Sequence, residues 1–323
     1  MRMDIVACTD KWFVMPTGVM MQSVCMNNQE TEIVFHVVLD DNVTAKDRQD
    51  LLDIVASYIE KSVVFYDVNK EMQDRVFPAG RFRSDITKTT YYRLFLAELL
   101  PHEIDKVLYL DGDLIVRHSL LPLWNIDFGE NAVAAVNDCS SGLIDYYNRL
   151  KYPYDLGYFN AGVLLVNLQY WREHYVLRDF IAYMEKHAES IRCHDQDILN
   201  AVFCDKKVFV PLKYNLQHSF LWKNNQEYDY WKYEREVLEA RWDPTIVHYT
   251  NDKPWYKYQR CPHPFRSTWD KYQNQTKWRG MKVEKRPMKL RIINFVADII
   301  RKKGIIPISN DSKCDYIDIT PID

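Results

Sequence analysis

The spacing of short apolar runs restricts this chain to few folds. MDIVAC (Met3–Cys8), EIVFHVVLD (Glu32–Asp40) and SVVFYDV (Ser62–Val68) are β-branched or apolar stretches of strand length. Between them lie segments with helical spacing, about Met15–Asn27 and Thr44–Ile59, the second opening on a Thr44 cap followed by Asp47. Strands alternating with helices predict a mostly parallel sheet with helices on both faces. The alternation continues with a helix near Thr89–Leu100, strands at Lys106–Leu110, Ala132–Asp138 and Gly162–Asn167, and helices at Gln169–His187 and His194–Phe203. At 323 residues the chain fits one large α/β domain with appendages, or two domains.

Several classes are excluded by what is missing. The nine glycines include no Gly-x-Gly pair, so neither a dinucleotide fingerprint nor a phosphate loop is present. Seven cysteines without a Cys-x-x-Cys or regular spacing indicate neither a disulfide framework nor a zinc site. MRMDIVACTD opens the chain without a signal-peptide core, and no apolar run reaches the roughly 20 residues of a membrane span, which predicts a cytoplasmic protein. The net charge of −3 conceals a basic C-terminal segment, Lys277 to Lys303, with ten Lys or Arg against Glu284 and Asp298. Nucleic-acid binding would need such charge over the folded body, so no nucleic-acid partner is expected.

The strand Lys106–Leu110 ends on Asp111 and Asp113, at the sheet edge where open α/β folds bind ligands. Asp-Gly-Asp reads as a surface turn or as a metal site, and spacing alone does not choose. A second pair, Asp195 and Asp197, stands at a helix start, where Asp195 reads as the cap and Asp197 as a first-turn acid. In IVHYTNDKPWYKY, His248 follows Ile246 and Val247, with Lys253 five residues on. Alone, His248 reads as structural. With Asp111, Asp113 and Lys253 it completes a set able to hold a divalent cation and a diphosphate together, and the imidazole favours Mn²⁺ over Mg²⁺.

Taken in order, MDIVACTD, TTYYRLFL, DKVLYLDGDLIVRHSLLPLW, YFNAGVLLVNLQYWR, HDQDILNAVF and IVHYTNDKPW closely resemble glycosyltransferase family 8, from Met3 to about Trp278. Bacterial lipopolysaccharide α-galactosyltransferases and glucosyltransferases belong to that family, as does glycogenin. The resemblance implies the glycosyltransferase A fold, a UDP-sugar donor, Mn²⁺ or Mg²⁺, and retention of anomeric configuration. Position by position, it implies Asp111, Asp113 and His248 as metal ligands, with Asp111 also approaching the ribose. It places Asp10 at the uracil or its ribose, Arg93 at the donor sugar and phosphate side, and Asn160 and Ala161 along the hexose. Asp195 would bind the sugar hydroxyls, Gln196 would lie below the anomeric carbon, and Lys253 would meet the diphosphate.

Two departures from the family pattern stand out. Lys11, Trp12 and Phe13 follow Asp10 where many members place an Asn and then a Tyr, and the His248–Lys253 loop is one residue short, with Asn251 at the usual glycine. Retention in glycosidases uses a carboxylate nucleophile. The corresponding residue here is the amide Gln196, which favours same-face attack with the leaving phosphate oxygen taking the acceptor's proton. A nucleotidyltransferase would carry a Gly-rich loop where this chain has CTDKWFVM. A non-catalytic sugar-binding relative and a self-glucosylating primer remain as other readings.

The expected organisation is a catalytic domain over residues 1–276 and a basic tail over 277–323. In the tail, Met288, Ile292, Phe295, Val296 and Ile299 fall on one helical face, with Lys289, Arg291 and Arg301–Lys303 on or near the other. That helix packs on the body or lies on an anionic membrane, which would suit a saccharide or lipid-linked saccharide acceptor. The aromatic stretch Ser219–Tyr233 either contacts the acceptor or covers the sheet.

Overall fold

The computed structural model describes residues 1–68, 70, 72–73, 88–222, 230–257, 261 and 263–283. A seven-stranded sheet runs in the order β3-β2-β1-β4-β7-β6-β8. Its strands are β1 (Arg2–Thr9), β2 (Glu32–Leu39), β3 (Lys61–Asp67), β4 (Lys106–Leu110), β6 (Val133–Asn137), β7 (Phe159–Asn167) and β8 (Lys207–Phe209). β7 runs antiparallel to both neighbours, and the other described pairings in this sheet are parallel. The start of β7 therefore arrives at the same edge as the ends of β1 and β4. A second sheet of three short strands, β5 (Leu114–Val116), β10 (Ile246–His248) and β9 (Leu216–Gln217), continues directly from β4 through Gly112.

Both faces of the large sheet are covered, which explains why its strands read as nearly unbroken apolar runs. One face packs Met3, Ile5, Leu108 and Leu165 against α1 (Val14–Asn27), α2 (Ala45–Val55) and the helix Arg266–Gln273, with Trp255 and Trp269 among them. The other packs Val6, Val107, Tyr109 and Val166 against Tyr92, Phe95, Trp171, Phe180 and Phe203. Each such side chain, fully buried, contributes about 1.5–3 kcal/mol. α1 is buried from Val14 to Cys25, so its lack of a polar face follows from its position between sheet and helix. Gly18 lets it approach the indole of Trp278, since a Cβ there would lie 2.3 Å from Cζ3.

Thr44 caps α2 as expected, in a full capping box with Asp47, although the helix stops at Val55 rather than Ile59. Two expected helices differ. Thr89–Leu100 is mostly a 3₁₀ segment, Lys88–Phe95, followed by one α-turn, Leu96–Leu99, because a Thr-Thr-Tyr-Tyr run disfavours regular α-helix. Gln169–His187 is two helices, Leu168–Glu173 and Val176–His187, broken where Tyr175 takes a left-handed φ of 52°. Arg172, in the first of them, donates to the carbonyls of Ala97, Leu100, Pro101, His102 and Ile104 and so ties that helix to the segment before β4. Among the described residues, no helix is long and apolar enough to cross a membrane. The helix expected from Met288, and residues 223–229 of the aromatic stretch Ser219–Tyr233, lie outside the described residues.

Candidate active site

β4 ends at Leu110 and β5 begins at Leu114, so Asp111 and Asp113 occupy the hinge between the two sheets. Gly112 is required there, because a Cβ would meet Thr17 Oγ1 at 2.6 Å. β10 pairs antiparallel with β5, setting His248 opposite Leu114. Its Nε2 lies 3.0 Å from Asp113 Oδ1 and 3.8 Å from Asp111 Oδ2. One ligand atom from each of Asp111, Asp113 and His248 lies within 4.8 Å of the others. Lys253 ion-pairs with Asp113 and also donates to the Tyr249 carbonyl. Burial would raise the Asp113 carboxyl, but Lys253 and His248 outweigh it and hold the group below its usual range.

Arg93, buried on the 3₁₀ segment, serves two carboxylates. It reaches Asp111 Oδ1 at 2.8 Å and Asp195 Oδ2 at 2.9 Å while its guanidinium stacks 4.3 Å from the Tyr109 ring centroid. The Tyr109 hydroxyl donates to Asp111 Oδ1 as well. Burial pushes the Asp195 carboxyl up to about 7, because one guanidinium shared with Asp111 only partly offsets the lost hydration.

The second Asp-x-Asp pair separates into two roles. Asp195 is not the helix cap; Cys193 stands at that position without a side-chain cap bond, and Asp195 turns to Arg93. Asp197 points into the core, accepting from Arg149, the Tyr158 hydroxyl and the backbone N–H groups of Arg192 and Cys193. Its role is therefore structural. The cost of burying it is met by five hydrogen bonds.

Gln196 is fixed from both ends of its amide. Oε1 accepts from the Ala161 N–H at 2.9 Å, while Nε2 donates to Asp138 Oδ2 at 3.1 Å and to the Tyr158 hydroxyl at 3.2 Å. Asp138 also accepts from Asn160 Nδ2 and the Ser140 N–H, and burial raises its carboxyl above the usual range. Asp10, at the end of β1, accepts from the N–H groups of Trp12 and Phe13 and so shapes the turn that presents both rings. Phe13 lines the cleft and meets Trp255 edge-on, and Trp12 is 66% exposed.

The cleft holds about 370 Å³, within the usual range for small-molecule sites. Asp10, Arg93, Asp111, Asp113, Asn160, Ala161, Asp195, Gln196 and His248 all line it. Lys253 reaches it through Asp113. The donor set fits a divalent cation, since two carboxylates and one imidazole converge where Gly162 leaves room. A Cβ on Gly162 would lie 2.2 Å from His248 Cε1 and 2.9 Å from Asp111 Oδ2. Sequence reasoning passed over Asp138, although a carboxylate closing a strand was the same signal that marked Asp111. It also passed over Asn215, for which the sequence carries no signal.

The family model described as Glycosyl transferase family 8 matches residues 4–259. General stress protein A of Bacillus subtilis is 28% identical, over 85% of this chain and 94% of its own. The lipopolysaccharide glucosyltransferase WaaO of Escherichia coli is 27% identical, over 86% and 79%. Lipopolysaccharide 1,3-galactosyltransferase of Salmonella typhimurium is 27% identical, over 81% and 75%. Among solved structures, the galactosyltransferase LgtC with donor and acceptor sugar analogues superposes with a TM-score of 0.72. It is 28% identical, and the match covers 90% of this chain and 99% of that one.

Proposed function

Given that the chain belongs to glycosyltransferase family 8 and is a glycosyltransferase, we propose that it moves galactose or glucose from a UDP-sugar to a saccharide acceptor with retention. The acceptor would belong to lipopolysaccharide or another surface glycan, in line with the names of its relatives. The convergence of Asp111, Asp113 and His248 beside the Arg93–Asp195 pair carries this reading.

Asp111, Asp113 and His248 would hold Mn²⁺ or Mg²⁺, which when bound neutralises the diphosphate of the leaving UDP. Lys253 would add a second positive charge there, exchanging Asp113 for phosphate. Asp10, with the turn it shapes, would hold the uridine, and Phe13 would offer a stacking face. Arg93 and Asp195 would bind the hexose and phosphate side, with Asn160 and Ala161 along the sugar.

Gln196 would stand below the anomeric carbon. Both ends of its amide are already engaged, and an amide oxygen is a weak nucleophile, so same-face attack fits better than a covalent adduct. In that step the bond from the anomeric carbon to the phosphate oxygen breaks as the acceptor oxygen bonds on the same face, and the acceptor's proton passes to the departing phosphate.

UDP release from a panel of UDP-hexoses with Mn²⁺ tests the reading. Asp113→Asn should lose about 100-fold or more while remaining folded, and chelator should have the same effect. Near-normal release by folded Asp113→Asn protein would refute the assignment. Products of an acceptor screen with oligosaccharide cores, and a mass shift on the protein itself, separate transfer to another molecule from self-glucosylation.

Residues 1–276 would form the catalytic domain and 277–323 a basic tail, which starts packed on the body at Lys277 and Trp278 and would contact anionic lipid at the inner face of the cytoplasmic membrane further on. Flotation with anionic vesicles should fall with added salt and after truncation beyond Lys285, while UDP-sugar hydrolysis persists. Equal flotation of full-length and truncated protein would remove the membrane part of the proposal.

A further inference from the structure

We infer that Asn215 is a positioning residue for the metal site, fixing His248 in the form whose Nε2 lone pair faces Asp111 and Asp113. The inference rests on the reading of these three residues as metal ligands. Asn215 is fully buried and joins a line of hydrogen bonds between Gln196 and His248.

The direction of every bond in that line follows from one backbone amide. The Gly162 N–H can only donate, and it reaches Asn160 Oδ1 at 3.0 Å. That makes the Asn160 oxygen an acceptor and turns its Nδ2 toward Asp138 Oδ2, at 2.9 Å. Asn215 contacts the same Asn160 oxygen at 2.9 Å, so it must present its own Nδ2 there. Its Oδ1 is then left for His248 Nδ1, again at 2.9 Å. An amide oxygen only accepts, so Nδ1 carries a proton.

With Nδ1 protonated, the lone pair that a cation would use is the one at Nε2. Nε2 faces Asp113 Oδ1 at 3.0 Å, as a hydrogen bond, and Asp111 Oδ2 at 3.8 Å. A cation bound there would take the place of the proton between Nε2 and the two carboxylates. Rotating the Asn215 amide would set oxygen against the oxygen of Asn160 and nitrogen against a protonated Nδ1. Both contacts would be repulsive, so the orientation is not free to change. A partner on the non-ligating nitrogen commonly fixes a metal-binding imidazole, and losing such a partner costs about 10- to 100-fold in affinity.

The experiment uses the full chain with Mn²⁺ and Mg²⁺. In the Mg²⁺-loaded wild-type protein, ¹⁵N NMR of His248 should show a protonated Nδ1 and a bare Nε2. Asn215→Leu, which removes both hydrogen bonds, should bind Mn²⁺ about 10- to 100-fold more weakly. Asn215→Asp keeps an oxygen toward His248 but sets its other oxygen against that of Asn160, so it should keep the Nδ1 proton while binding Mn²⁺ more weakly than wild type. A proton on Nε2 in the loaded protein, or unchanged Mn²⁺ affinity in folded Asn215→Leu, would overturn the inference. A bare Nδ1 on His248 in folded Asn215→Asp would do so too. If Asn215→Leu fails to fold, the wild-type spectrum and Asn215→Asp decide. Wild-type protein that binds no Mn²⁺ refutes the metal reading instead, and the position of the proton on metal-free His248 then tests Asn215 separately.

Discussion

Lys253 and Asp113 form an ion pair inside the cleft, on the opposite carboxylate oxygen from the one that His248 approaches. The ammonium thus provides in cis part of the positive charge that three converging ligands require. Replacing it should expose that dependence. In chelator, Lys253→Met should lose about 3 kcal/mol by chemical denaturation, the usual cost of leaving a buried partner unpaired. Asp113 titrates below its ordinary 3.8, so the stability it supplies is present above about pH 4 and is lost on acidification. That acid-side loss should be shallower in Lys253→Met. Equal acid profiles for the two proteins would show that the pair does not set the Asp113 carboxyl.

Gly162→Ala should damage the metal site more than the fold. The added methyl would collide with the His248 ring and crowd Asp111. A fall of about tenfold or more in Mn²⁺ affinity is expected, with about 1–3 kcal/mol of destabilisation. Calorimetric Mn²⁺ titration and a denaturant melt read the two separately. Wild-type affinity in the variant would mean that His248 has room to retreat.

Asp195 gives the ligand-free protein an unusual pH dependence. Its folded carboxyl titrates at about 7 against an ordinary 3.8, so between those values the folded state holds the extra proton. Stability from this group is complete below about pH 4 and declines as pH rises through 7. Asp195→Asn should remove that decline and be the more stable protein at pH 8, while losing transferase activity. Parallel stability profiles from pH 5 to 8 would contradict the raised value.

Gln196→Ala should slow transfer by about 10- to 100-fold, the worth of one or two charge-assisted hydrogen bonds, without abolishing it. Detection of a glycosyl adduct on Gln196 in wild-type protein, by mass spectrometry during turnover, would replace same-face attack with a covalent route.

The strands β1, β2 and β4 were legible because each is buried on both faces and so reads as an unbroken apolar run. The small sheet was not, since Leu114–Val116, Leu216–Gln217 and Ile246–His248 are too short to show a period. Asp111, Asp113 and His248 were legible by residue type and position at strand ends. Their distances were not, because they depend on β10 pairing with β5 across more than a hundred residues of chain. The break at Tyr175 was hidden for a different reason. No glycine or proline marks it.

The pairing of β6 with β7 shifts between Ala135↔Leu164 and Asn137↔Phe159, so Asn160–Val163 all face the single residue Val136. Three of these four line the cleft. The enzyme has in effect placed an exchangeable cassette inside a structural strand, released from the ladder on one side but still pinned to β4 by the Asp111 N–H and Gly162 carbonyl. Under the proposed function, Ala161 would be the place to alter which hexose is accepted, since the Asn160 amide is tied to Asp138, Gly162 and Asn215. An insertion or deletion within the cassette is a different matter. It would move Gly162 off its mark beside Asp111 and His248, so drift in donor choice should proceed here by substitution and not by change of length.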